Sequence, residues 1–242
     1  MKKELFTVSG RTAALYPAQQ NDQPLIVLNT YTDHGDAILH HLRELRCPDL
    51  NLLIVSQLQW NSDMTPWECP PLNKKDAPFS GGADQYLDLL CAEIIPQALN
   101  MISGEPCFTG IAGYSLAGLF ALYALCQCTI FDRAASMSGS LWYPHFAEYV
   151  QTHPMPNMPA HLYLSLGDAE KNTKHPLLKT VQENTEAITA YYKSIGIDTV
   201  FELNDGNHFK DAELRTAKGI LALLRNDDQK APDYQTEESN HE

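Results

Sequence analysis

Basic residues are scarce in this chain. Lysine and arginine together number 17 against 30 aspartates and glutamates, leaving a net charge of −13 at pH 7. A nucleic-acid binder needs a basic face, so that class is disfavoured, as is attraction to an anionic membrane surface. No run of about 18 apolar residues occurs, so no transmembrane helix is expected. Two lysines open the segment MKKELFTVSGRT, but no apolar core follows them, and no secretory signal is expected. The six cysteines (47, 69, 91, 107, 126 and 128) contain no C-x-x-C pair and no zinc-type spacing with histidine. Cys91, Cys107 and Cys126 lie inside apolar runs and read as small core residues. Glycine and proline follow no period, which removes collagen-like and low-complexity readings. These absences leave a reduced, cytoplasmic globular protein with no nucleic-acid or membrane partner.

What is present is a core-forming pattern. Hydrophobic residues make up 44% of 242, enough for one sizeable core. Residues 3–8 and 11–16, split by Ser9-Gly10, read as an opening pair of strands. The continuous apolar runs PLIVLNT (24–30) and LNLLIVS (50–56) suit strands buried on both faces of a parallel sheet. Between them, apolar residues at 38, 39, 42 and 45 predict a helix over 35–46, with Asp36 placed to cap it. A helix over 83–101, kinked at Pro96, precedes the apolar stretch CFTGIAGYSLAGLFALYAL (107–125). Strands are then expected over 130–138, 161–167 and 200–203, and helices over 177–194 and 211–225. Alternation of strand and helix predicts a mostly parallel sheet with an antiparallel N-terminal strand and helices on both faces. Residues 1–225 form one expected domain, and the polar, acidic residues 226–242 a tail.

Chemistry concentrates at Ser115. Gly113-Tyr114-Ser115-Leu116-Ala117 is G-x-S-x-A between a buried strand and an apolar helix. A serine on such an elbow sits at positive φ and needs small residues two positions either side, so that strand and helix approach closely. Ala117 adds one methyl where glycine is usual. A serine hydroxyl is a poor nucleophile unless a histidine takes its proton and a third group orients that histidine. His208, in the loop NDGNHFKD between the last strand and last helix, has the required order and strand-end position. Among the other histidines, His34 follows the third strand and His175 shares the loop of the candidate acids. The acid should follow HLYLSLG. Glu170, three residues past the strand-end Gly167, is preferred over Asp168, which suits a turn-capping role. The Leu116 main-chain N–H opens the helix and faces a developing oxyanion; the second donor comes from the loop after PLIVLNT, at Tyr31 or Thr32, with Tyr31 favoured. No metal or organic cofactor is required. The stretch 57–82 shows no periodicity and carries prolines 66, 70, 71 and 78. Its Trp60 and Trp67, with Trp142, Tyr143, Phe146 and Tyr149, are placed either to roof a pocket or to cover the core.

IAGYSLAGLFALYAL, SGSLWYP, LSLGDAEKNT, GNHF and the SDMTP of residues 62–66 together resemble the putative-esterase group of α/β-hydrolases, which includes siderophore esterases and esterase D-like enzymes. The resemblance spans about residues 1–225. It implies an α/β-hydrolase fold and a serine carboxylic-ester hydrolase with Ser115 as nucleophile, His208 as base and Glu170 as acid, acting on a small-molecule ester. It departs from the group at Ala117 and in having no basic cluster to grip an anionic ferric siderophore. An acyltransferase of the same fold, or a silent hydrolase-fold binding protein, are the rival readings. A homodimer is compatible with all three.

Overall fold

The computed structural model describes residues 3–32 and 35–225. His34 and the tail expected over 226–242 lie outside the described residues. The chain runs β1 (Glu4–Val8), β2 (Arg11–Tyr16), β3 (Leu25–Asn29), α1 (Gly35–Glu44) and β4 (Asn51–Ser56). It continues through α2 (Trp60–Asp63), the two-residue strands β5 (Glu68–Cys69) and β6 (Phe79–Ser80), α3 (Ala83–Leu89), a π-helical segment Leu90–Ile94, and α4 (Ile95–Leu99). Then come β7 (Thr109–Tyr114), α5 (Leu116–Gln127), β8 (Arg133–Met137), α6 (Phe146–Thr152), β9 (His161–Gly167), α7 (Val181–Ser194), β10 (Asp198–Asn204) and α8 (Ala212–Leu223).

Eight strands form one sheet in the order β1-β2-β4-β3-β7-β8-β9-β10. Only the β1–β2 and β2–β4 pairings are antiparallel; every pairing from β4 to β10 is parallel. Strands β3, β4, β8 and β9 are buried at every position; burial on both faces is why β3 and most of β4 read as continuous apolar runs with no alternation. Side chains of alternate residues feed two cores. Leu25, Val27, Leu53 and Ile111 pack with α3, α5 and Tyr192 of α7 on one face. Ile26, Leu28, Ile54 and Ala112 pack with α1 and α8 on the other. Helix α5 has no polar face, and its residues from Leu116 to Leu125 are all buried. A helix apolar all round belongs in the middle of a structure, and α5 lies directly behind the central strands β7 and β8.

Several expectations are refined. The helix over 83–101 is helical to Leu99, but Pro96 acts through the turn before it. Proline cannot donate to a carbonyl four residues back, and the chain relaxes into the π segment Leu90–Ile94 there. Asp36 lies inside the first turn of α1 instead of capping it. The strand expected over 130–138 is shorter, and that over 200–203 longer. Cys107 is exposed, while Cys91 and Cys126 are partly buried, so none of the three is a fully buried core residue. The stretch 57–82 is ordered by polar anchors. Asp63, 4% exposed in its side chain, takes a bidentate grip from Arg11 of β2 (2.8 and 3.1 Å) and caps Gln59 N–H (3.0 Å). Thr65 Oγ1 donates to Asn61 O (2.7 Å) and accepts from Gly81 N–H (3.2 Å), which pins both ends of the stretch.

Removing one partner of a mostly buried ion pair strands the other charge. Asp63→Ala is therefore expected to cost about 3 kcal/mol, and roughly 6–12 °C in Tm for a chain of this size, by thermal melting. Asp63→Ala combined with Arg11→Met should recover much of that loss.

Candidate active site

The turn that carries Ser115 is a steric solution. Ser115 adopts φ 60° and ψ −124°, a left-sided conformation that a side chain tolerates only when its surroundings hold it. Four main-chain bonds do so: Ser115 N–H donates to Met137 O (3.1 Å), and Ser115 O accepts from Gly118 N–H (3.0 Å), Leu119 N–H (3.2 Å) and Ser140 N–H (3.0 Å). Any Cβ at Gly113 would fall on the carbonyl group of Ala117, and 2.6 Å from the Ala117 methyl. Position 113 must therefore be glycine. The Ala117 methyl, fully buried, occupies space that only glycine at 113 leaves free.

Three side chains from separate loops converge. His208 Nε2 lies 3.0 Å from Ser115 Oγ, and His208 Nδ1 lies 2.7 Å from Glu170 Oε2. Nδ1–H donating to the carboxylate leaves Nε2 as an acceptor for the serine proton. The Glu170 carboxylate is 4% exposed, and its other oxygen accepts from Gly167 N–H (2.7 Å) and the Ser138 hydroxyl (2.7 Å). Burial pushes its pKa up, but the hydrogen bonds from His208, Ser138 and Gly167, with the charge of His208, outweigh burial and hold it below the usual carboxylate value. Asp168 points elsewhere: its Oδ1 accepts from Gly206 N–H (2.8 Å), joining the acid loop to the histidine loop. His175 is also occupied structurally. Its Nδ1 accepts from Leu177 N–H (3.3 Å), and Nε2 donates to Leu72 O (3.1 Å).

Three further neighbours were not nominated from the sequence. Arg215 of α8, with a side chain 2% exposed, reaches Glu170 Oε1 (3.5 Å), Ser138 Oγ (3.2 Å), Tyr114 OH (3.4 Å) and Asp205 O (2.9 Å). Tyr114 OH donates to His208 O (2.7 Å). Ser140 Oγ lies 3.4 Å from Ser115 Oγ. The signal available for Arg215 was its register: it falls four and eight residues before the buried Gly219 and Leu223, on the apolar face of α8.

Ser115 and His208 open onto a cavity of about 830 Å³ at the carboxyl ends of β3 and β7. Leu28, Ile38, Tyr31, Trp60, Tyr114 and Phe209 supply most of its apolar wall. Thr30 N–H is still tied to Val55 O (2.9 Å); Tyr31 and Thr32 follow it at the cavity wall. Leu116 is the first residue of α5, so its N–H has no carbonyl four residues back within the helix. Of the aromatic side chains placed as pocket or core, Trp60 lines the cavity. Trp142, Tyr143 and Phe146 are buried with Trp67 and Tyr149 packed against them, so this group covers the core. Another cavity, about 670 Å³, lies at the opposite end of the strands beside Pro24 and Phe108, remote from Ser115.

A family model described as Putative esterase matches residues 30–212. An uncharacterized protein YbbA of Bacillus subtilis is 25% identical over 177 residues, 69% of this chain and 71% of that protein. Among solved structures, an IroE-like serine hydrolase from Shewanella oneidensis superposes with a TM-score of 0.77 at 15% identity, over 91% of this chain and 78% of that one. The siderophore hydrolase EstA of Aspergillus nidulans gives 0.67 at 18% identity, over 91% and 92% of the two chains.

Two measurements separate the acids. Glu170→Gln is expected to lower kcat/KM for a p-nitrophenyl ester by roughly a thousandfold, whereas Asp168→Asn, whose amide oxygen still accepts from Gly206, should stay within about threefold. A carboxylate with a depressed folded pKa adds stability above its unfolded value, and that stability is lost as pH falls through the folded value. Acid titration should therefore show wild type losing stability relative to Glu170→Gln as pH drops below the ordinary glutamate value of 4.5.

Proposed function

The chain belongs to the Putative esterase family, which makes it a serine esterase of the α/β-hydrolase type, and on that premise we propose that it hydrolyses a small-molecule carboxylic ester through an acyl-enzyme. The observation that supports this most is the Ser115–His208–Glu170 chain of hydrogen bonds opening on the cavity. Ser115 Oγ attacks the ester carbonyl as His208 Nε2 takes its proton. The charged Glu170 stabilises the imidazolium that results. The oxyanion is held by the main-chain N–H groups of Leu116 and Tyr31. Leu116 sits at the positive end of α5, whose dipole favours the developing charge. His208 returns the proton to the departing alcohol. It then draws a proton from water as that water attacks the acyl-enzyme, which releases the carboxylic acid and restores the serine. Residues 1–225 are the catalytic domain in this reading, and the protein works in the cytoplasm. There its six cysteines stay as the free thiols seen here.

The cavity bears on the substrate. Asp76 and Glu213 line it, and among the described residues no lysine or arginine does. EstA, by its name, acts on siderophores; the ester taken here is instead a neutral or cationic one with apolar or aromatic substance to fill the Tyr31–Trp60–Phe209 wall.

Ser115→Ala should abolish turnover of short-chain p-nitrophenyl esters, by roughly a thousandfold or more, and should abolish labelling by a fluorophosphonate at that residue in mass-spectrometric mapping. Full activity in the variant would sink the assignment. Among esters matched in size, those bearing an ammonium group should exceed those bearing a carboxylate in kcat/KM by about tenfold at low salt, and the ratio should shrink as salt is added.

A further inference from the structure

The convergence of the triad raises a question its three members do not answer. Ser115, Glu170 and His208 stand on three different loops, and loops at strand ends are the mobile parts of such a fold. One buried guanidinium touches all three supports. Arg215 donates from Nη2 to Asp205 O in the histidine loop, and from Nη1 to Ser138, to Glu170 in the acid loop and to Tyr114, the residue before the nucleophile. Tyr114 then passes the connection on, donating to the main-chain carbonyl of His208 itself. Its ring also stands 5.4 Å from the imidazole. Resting on the hydrolase reading above, we infer that Arg215, with Tyr114 as its relay, is the positioning residue that sets both the place of His208 and the charge state of the Glu170–His208 pair.

Arg215 also acts by its charge. A guanidinium remains protonated at every working pH. Held 3.5 Å from Glu170 Oε1 with both side chains almost wholly buried, it favours the ionised carboxylate and opposes a second positive charge on the neighbouring imidazole. A serine hydrolase needs that imidazole neutral at rest, able to accept the serine proton. Arg215 thereby places a fixed positive charge against the Glu170 carboxylate that holds the imidazole. The remaining charged groups near the pair cannot substitute. Glu213, from the first turn of α8, is negative and lines the cavity. Asp205 and Lys210 are paired with each other in the exposed histidine loop. Asp168 is bonded to Gly206, and the Tyr114 phenol, which burial pushes up, stays neutral. The other donors to Glu170 besides His208, from Ser138 and Gly167, carry no charge.

The test is the rate of fluorophosphonate labelling at Ser115 across pH, which needs the base but no knowledge of the natural ester. Arg215→Met should slow labelling by about a hundredfold and move the acid limb of the profile up by about one pH unit. Arg215→Lys, keeping the charge but losing the fork, should restore the limb to within about 0.3 unit while remaining slower. Tyr114→Phe should slow labelling by about tenfold with the limb unmoved, since it removes a hydrogen bond and no charge. Folding is checked by circular dichroism and melting. A folded Arg215→Met whose limb coincides with that of wild type overturns the inference while leaving the hydrolase reading intact. If Arg215→Met does not fold, Arg215→Lys and Tyr114→Phe decide: wild-type labelling rates in both overturn it. A wild-type protein that is not labelled at all removes the hydrolase reading and this inference together.

Discussion

The arrangement around Ser115, Glu170 and His208 depends on keeping one carboxylate charged where water scarcely reaches. Burying an isolated carboxylate would drive it to take up a proton. Glu170 escapes that outcome because four donors converge on it, from the imidazole, a serine hydroxyl, a glycine amide and a guanidinium. Each donor comes from a different part of the chain. Satisfying the charge and assembling the site are thus the same act: the loops after β8, β9 and β10 and helix α8 meet where that negative charge needs them.

The sheet makes such a meeting feasible. Parallel strands end together, so the loops that follow β7, β8, β9 and β10 leave from one edge. The side-by-side order of these four strands follows the order of the chain, which gives each loop its neighbour in sequence as its neighbour in space. Elbow, serine loop, acid loop and histidine loop then stand in a row. Helix α8 crosses behind β7, β8 and β9, and from there Arg215 can reach the whole row.

Much of this was readable in the residues. Parallel strands buried on both faces leave uninterrupted apolar runs, so β3 and β4 were plain, β9 showed itself by the alternation of HLYLSLG, and the family resemblance supplied the architecture that joins them. Residues 115, 170 and 208 could be nominated because chain order and strand ends constrain them; their mutual distances could not. Asp168 and Glu170 differ by two positions in one polar loop, and only main-chain geometry determines which turns inward. Arg215 was missed for a different reason. An arginine in an amphipathic helix ordinarily points to water, and beyond its register the only cue to burial lies in partners 10 to 101 residues away in sequence. The pieces within 57–82 were equally hidden, since a four-residue helix and two-residue strands are too short to show a period. They form because Asp63 and Thr65 supply hydrogen bonds that tertiary structure completes.

The π segment carries a consequence for how the chain can change length. Leu90–Ile94 holds wider turns than an α-helix, so α3 and α4 are rotated relative to each other about their shared axis. That offset lets Tyr86 of α3 and Ile95 and Ala98 of α4 all face the core. Tyr86 donates its hydroxyl to Asn29, the last residue of β3 and itself part of the cavity wall. A one-residue deletion within this helix would tighten it to α geometry and turn Tyr86 away from Asn29, or else turn α4 out of the core. Insertions and deletions that a surface helix absorbs without effect would here reach the mouth of the cavity, so the length of this helix is tied to the cavity beside Ser115 although none of its residues lines it.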